Sequence, residues 1–251
     1  MIFKSSKKSI NLLILSVCAL LCSDQIIQAS AFDDANKLYY EGKFSDAAAA
    51  YEKLTHSGMA SPALYFNLGN ARFKSGQIGR AISAYKEAER FTPRDPDLRA
   101  NLQFARNQAQ GPTLKLDPVQ RLLTRLTLNE WTLLASGSIW VLLVLLSVCQ
   151  WRPAWSRSLR GFLVLWFIVS LVFCGCLGAA LYQDFSNPSG VVIAAQAVVR
   201  NGPLEESKSA FTLQDGSEVR VLDRKENWLL ITTDPQRMGW LRREQVLLGS
   251  R

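Results

Sequence analysis

The chain of 251 residues holds one histidine, His56. Imidazole acid–base chemistry therefore has a single candidate, with no second histidine beside it. The acidic pair Glu205-Glu206 lies in a turn-rich stretch and reads as solvated. Cys18 and Cys22 fall in an N-terminal apolar block, and Cys149, Cys174 and Cys176 fall in two later ones. The polar parts of the mature chain thus offer no thiolate for a disulfide framework or a metal site. Cys174-Gly175-Cys176 lacks the redox spacing and reads as small-residue packing. Neither a Gly-rich phosphate loop nor a nucleophile elbow is present. No cofactor and no metal are expected, and the parts needed for an enzyme are missing. The formal charge of +8 is spread along the chain without a dense basic stripe, which argues against nucleic acid as a partner. What remains is recognition chemistry, and its setting is decided by the elements that carry it.

The first 31 residues have the layout of an export signal. Lys4, Lys7 and Lys8 precede an apolar core over 10–21, and Ala29-Ser30-Ala31 is a small-x-small cleavage site. An uncleaved anchor is the alternative; a lipidated Cys22 is disfavoured by the bulky Leu20 and Leu21 before it. Two uncharged runs, 131–151 and 161–183, each reach the roughly 20 residues that cross a bilayer. The alternative is a pair of core helices, but uncharged runs of this length are rare in soluble domains. Between them, 152–160 carries Arg152, Arg157 and Arg160 and no acid, which keeps that loop cytoplasmic. Arg121 and Arg125, just outside the first run, weaken that bias. With export of residue 32, both flanking domains are expected on the extracytoplasmic side of a cytoplasmic membrane.

Residues 32–110 are helical in pattern and self-similar. Gly42 and Gly76, Ala47 and Ala81, Tyr51 and Tyr85, and Leu54 and Ala88 are each 34 apart. The segment 67–72 (Asn-Leu-Gly-Asn-Ala-Arg) returns over 101–106 as Asn-Leu-Gln-Phe-Ala-Arg at the same interval. A helix-turn-helix period of 34 resembles the tetratricopeptide family. The units run over about 32–60 and 61–94, with a half repeat over 95–109. Gly69 and Ala81 are small where helices cross, Gly76 closes a helix, Tyr85 fills space between helices and Pro93 stops one. Arg72 departs from the family's usual aromatic, with Phe73 beside it as the substitute. The resemblance implies a peptide-binding concave groove lined by the first helix of each unit. Its matching positions are Asn36, Tyr39, Tyr40, Asn67, Asn70, Phe73, Lys74 and Asn101. An Asn amide both donates and accepts, which suits an extended backbone. Helix-end bonding or a solvated face is the competing reading. Such arrays usually need three repeats, so this one must lean on a partner, on itself or on a following helix. That helix is expected within the linker 111–130. Asp117 and Pro118 open it, and Val119, Leu122, Leu123 and Leu126 share a face. A membrane-surface helix, a cap on the solenoid and a rigid lead-in to the first span are all compatible with it.

From 186 to 251 the pattern turns to short β runs over 191–195, 197–200, 209–213, 217–222, 227–233 and 238–241. Asp215-Gly216 signals a hairpin and Asp234-Pro235 a turn. A small closed barrel is expected. Val198-Val199-Arg200-Asn201-Gly202-Pro203, Asn227-Trp228 and Gly239-Trp240-Leu241 resemble the bacterial SH3 family. Arg200, Trp228 and Trp240 are its candidate surface, although half-buried barrel aromatics are the commoner use of such tryptophans. No tyrosine follows Tyr182, so a groove for proline-rich helices is poorly supplied.

The expected fold class is a short tetratricopeptide α-solenoid, a two-helix transmembrane hairpin and a C-terminal bacterial SH3-like β-barrel. That order resembles the BatE-type proteins of the bacterial aerotolerance (Bat) operon. Asp95-Pro96-Asp97-Leu98 and Asn129-Glu130-Trp131 fit the same picture. The resemblance implies a non-enzymatic, membrane-integral scaffold, with von Willebrand A-domain Bat proteins among its partners. Peptidoglycan binding or sensing through the SH3-like part is the alternative. Gly175, Gly178 and Ala179 offer a small face for helix contact, or simply face lipid.

Overall fold

The computed structural model describes residues 30–109, 111–114, 117–186, 188–234 and 237–249. The expected signal lies outside the described residues over 1–29, and residues 30 and 31 already belong to the first helix.

Five helices form the repeat region: α1 over 30–40, α2 Phe44–His56, α3 Pro62–Lys74, α4 Ile78–Phe91 and α5 Pro96–Ala109. Local chemistry sets their ends. Ser61 Oγ accepts the Leu64 amide at 3.2 Å with Pro62 in the first turn of α3. Asp95 Oδ1 accepts the amides of Asp97 and Leu98 at the start of α5. Gly42 and Gly76 close α1 and α3 at φ +77° and +79°, which lets Lys43 and Gln77 bond back to the carbonyls of Leu38 and Arg72. Two cores result. One gathers Ala35, Ala47, Tyr51, Leu64 and Leu68; the other gathers Ala81, Ile82, Tyr85, Leu98 and Leu102.

Next come α6 Pro118–Leu123, α7 Leu128–Trp151 and α8 Pro153–Ser186. Thr127 and Glu130 form a capping box that starts α7. The loop expected over 152–160 contracts to Arg152, because Pro153 takes the first turn of a new helix. The segments Leu128–Trp151 and Arg157–Gln183 are long and apolar enough to cross a membrane. Only 11% and 6% of their apolar windows are buried, which is unlike a soluble core helix. Trp166 Nε1 donates to the Ser138 carbonyl at 2.9 Å between them. Gly175, Gly178 and Ala179 are exposed and take no part in that pairing.

Seven strands follow: β1 Ser189–Val192, β2 Gln196–Arg200, β3 Ser209–Gln214, β4 Glu218–Lys225, β5 Trp228–Asp234, β6 Arg237–Arg242 and β7 Val246–Leu248. They form one antiparallel sheet in the order β3-β2-β6-β5-β4-β1-β7. The expected closed barrel is not what forms. The sheet is open, with β3 and β7 as edges. It still curls round a single core, since Val192, Val199, Leu213, Val219, Ile231, Leu241 and Val246 meet in one cluster from all seven strands. Asp215-Gly216 is a turn but not a hairpin: β3 pairs with β2, and β4 pairs with β1 and β5. The Gly216 amide donates to the Val192 carbonyl at 2.9 Å, and Asp215 Oδ2 accepts the Gly79 amide at 3.0 Å. Those bonds carry the chain across the core instead of back beside β3. The Asp234-Pro235 turn falls at Pro235 outside the described residues; β5 and β6 on either side pair antiparallel.

The sheet packs directly on the repeats. Val191 joins the second helical core, and Glu218 reaches between Lys86 of α4 and Arg106 of α5. The short array therefore leans on the sheet. The linker helix α6 is not its cap: α6 packs on α8, and Leu123 accepts the Trp131 indole N–H at 3.0 Å.

Candidate protein-binding groove

Two polar rungs repeat along the first-helix face. Asn36 Oδ1 accepts the Tyr51 hydroxyl at 2.7 Å and the Asn67 amide at 3.0 Å. Asn70 Oδ1 accepts the Tyr85 hydroxyl at 2.7 Å and the Asn101 amide at 3.1 Å. Each rung links the first helix of a unit to its second helix and to the first helix of the next unit. Burial pushes the Tyr51 phenol up to about 12, and burial pushes Tyr85 higher still. Both phenols therefore stay protonated donors across the physiological range. The Asn36 and Asn70 oxygens are thus engaged in bonds between helices and are neither solvated nor at helix ends.

Above the second rung lies a depression of about 270 Å³. Tyr39, Asn70, Phe73, Lys74, Tyr85, Asn101 and Phe104 line it. Phe73 and Phe104 form a tilted pair with centroids 5.4 Å apart. The site has an apolar wall, a floor of amide and phenol groups, and a lysine. Five of the lining residues are expected groove positions, Tyr85 is expected between helices, and Tyr39 and Phe73 are themselves 34 apart. Phe104 was missed. Its signal is the register, since it stands 34 after Asn70 within the recurring segment 101–106, and the fold leaves its ring exposed. Of the other expected residues, Asn36 and Asn67 sit in the first rung, outside this depression. Tyr40 stands 86% exposed and meets the Tyr39 ring edge-on. Burial, with Tyr40 nearby, raises the Tyr39 phenol.

Phe73 does not substitute for the aromatic missing at Arg72. Arg72 is buried itself and pairs with Glu52 at 2.8 Å, while Phe73 faces the depression.

The second candidate surface lies on the sheet. Leu229, Ile231 and Leu241 point into the core, so the alternating Trp228, Leu230, Trp240 and Arg242 face outward and are half-buried. Trp228 pairs with Arg242, and Trp240 with both Leu230 and Arg200. The Arg242 guanidinium lies 5.7 Å from the Trp228 ring centroid and also pairs with Glu205. Arg200 Nη1 donates to the Ser207 carbonyl at 2.8 Å and holds the 201–208 loop. His56 is exposed in the last turn of α2. Among the described residues no group of His, Cys, Asp and Glu side chains is placed to hold a metal ion.

Residues 32–96 match the tetratricopeptide repeat family. The helical N-terminal region is thus tetratricopeptide-like, which suggests a role in protein–protein contact. No curated relative matches the chain.

Proposed function

We propose that this chain is a membrane-anchored, non-enzymatic scaffold that holds a partner protein in its tetratricopeptide groove. The observation that carries the reading is the depression beside Asn70, with its aromatic wall, hydrogen-bonding floor and Lys74. The partner it suits is an extended segment that places an apolar side chain against Phe73 and Phe104. The anchor is the α7–α8 hairpin, an exported protein's two-pass anchor in the cytoplasmic membrane. Its tip carries Arg152, Arg157 and Arg160, which favours a cytoplasmic tip. The contact between repeats and sheet supports the same topology, since parts that touch lie on one side of the bilayer. Within this reading the sheet is a bacterial SH3-like module, and the whole is a member of a Bat-like envelope complex with von Willebrand A-domain companions.

The test uses the full chain with a photo-crosslinking residue at position 104. It should capture a discrete membrane or periplasmic partner, and Lys74→Glu should abolish the adduct. Unchanged crosslinking in the Lys74→Glu protein would refute the groove. Reporter fusions after Arg160 and after Asp184 should read cytoplasmic and extracytoplasmic respectively.

Peptidoglycan binding is the second reading, favoured by Trp228, Trp240 and Arg200 sharing the outer face of β5, β6 and β2. Pelleting of the full chain with purified cell wall should then fall in Trp240→Ala. Equal pelleting of the two proteins removes this reading.

A further inference from the structure

We infer that α6 is an interfacial helix that docks on anionic phospholipid headgroups and sets the height of the repeat region above the bilayer. The inference rests on the α7–α8 hairpin spanning the membrane. α6 has a fixed place at the mouth of that hairpin. Leu123 and Trp131 are each 6% exposed, the Trp131 indole N–H donates to the Leu123 carbonyl at 3.0 Å, and α6 packs against α8. Trp131 lies one turn into α7, where the uncharged run begins, so α6 is level with the boundary between water and hydrocarbon.

At that level α6 leaves apolar groups uncovered. Val119 is 65% exposed and Leu122 is 56% exposed. In a water-soluble arrangement these side chains only lose free energy; at the membrane surface they are buried in the acyl boundary. Val119, Leu122 and Leu123 fall in one sector of α6, Arg121 falls in another, and Arg125 stands in the turn that follows the helix. That split is what an interfacial helix requires: leucine and valine below the headgroups, guanidinium groups among the phosphates. The placement also explains the arginines that stand on the outer side of the first span against the usual charge bias. They serve as headgroup ligands, outside the accounting that orients the hairpin. The hairpin continues this surface directly, so the occupant is lipid and not a protein partner.

The experiment uses the full chain, with its five cysteines replaced by alanine, in vesicles of neutral lipid with and without phosphatidylglycerol. A spin label is placed at Leu122→Cys or, as a second exposed site, Val119→Cys; another at Ile168→Cys reports the middle of α8. Power saturation against a water-soluble relaxer and oxygen gives the depth of each label. The labels at 122 and 119 should read headgroup depth, deeper with phosphatidylglycerol, and the label at 168 should read hydrocarbon. Arg121→Gln with Arg125→Gln should weaken the anionic-lipid dependence by about fivefold per arginine. Labels at 122 and 119 in water with 168 in hydrocarbon would overturn the docking of α6 and leave the span intact. A label at 168 in water would remove the span and the inference with it.

Discussion

Glu218→Gln should loosen the sheet from the repeats. Glu218 is 2% exposed, and its Oε1 accepts Arg106 Nε at 2.6 Å while its Oε2 accepts Lys86 Nζ at 3.3 Å. Burial works to raise its carboxyl, but Lys86 and Arg106 outweigh burial and hold it below the ordinary carboxylate value. A carboxyl depressed by folding stabilises the folded state above its unfolded value near ~4.3, and that stability is lost as pH falls through the folded value. Breaking a fully buried pair costs roughly 3–5 kcal/mol. Here the cations keep 20% and 23% of their side-chain exposure, so water takes part of the load. About 2–3 kcal/mol is the reasonable expectation for the charge-assisted bonds lost. For a unit of this size that is a fall in melting temperature of about 4–12 °C. The assay is thermal unfolding of the full chain in detergent at pH 7 and at pH 3, followed by amide exchange at Gly216 and Glu218. The Glu218 amide donates to Pro112, just past α5, and reports the clasp; the Gly216 amide donates to Val192 within the sheet and is the internal reference. The variant should melt lower at pH 7, and the gap to the wild type should narrow at pH 3. Equal melting at pH 7, or a gap that persists undiminished at pH 3, would refute the reasoning.

Gly69→Ala should cost about 1–3 kcal/mol in urea unfolding, because the new Cβ would lie 2.5 Å from ring carbons of Tyr85, whose hydroxyl is tied to Asn70. Asn70→Ala should cost about 1–3 kcal/mol by leaving the Tyr85 hydroxyl and the Asn101 amide without their acceptor. Asn70→Asp keeps that oxygen, so its loss in the same measurement should be smaller. Glu226→Gly should raise stability by up to about 1 kcal/mol, since Glu226 sits at φ +51° in the β4–β5 connection.

The repeat was readable because identical jobs recur at a fixed interval: Tyr51 and Tyr85 fill equivalent gaps and bond equivalent asparagines. The groove residues were readable in register but not in role. Asn36 and Asn70 look like free amides in sequence, and only the positions of the tyrosine hydroxyls show that their oxygens bind helices together. The strands were readable from alternation, except β7, whose three residues are too few to alternate. The Asp215-Gly216 signal was correct for a turn and misleading for pairing. Turn chemistry fixes a local change of direction; which strands then pair depends on the bonds to Gly79 and Val192, far away in the chain or across the core.

Glu218 shows most clearly what alternation leaves out. Val219 and Val221 point into the sheet's core, so period two sends Glu218 outward, and an outward glutamate reads as solvated. The reading of direction is right and the reading of environment is not, because α4 and α5 cover that face. The contact is close at the level of backbone: a Cβ on Gly79 would lie 2.3 Å from the Val192 carbonyl, and one on Gly216 would lie 2.5 Å from Ala109 Cβ. An array of two and a half units lacks the neighbour that would bury its last helices. The sheet supplies that neighbour through Val191 and Glu218. It does so through residues other than those of the depression, since the sheet meets Gly79, Ile82, Lys86 and Arg106, whereas Tyr39, Phe73, Lys74 and Phe104 line the depression. The stabilising contact and the candidate binding face are therefore separable. A substitution at Glu218 should lower the melting point while leaving a bound segment in place, and one at Lys74 should do the reverse.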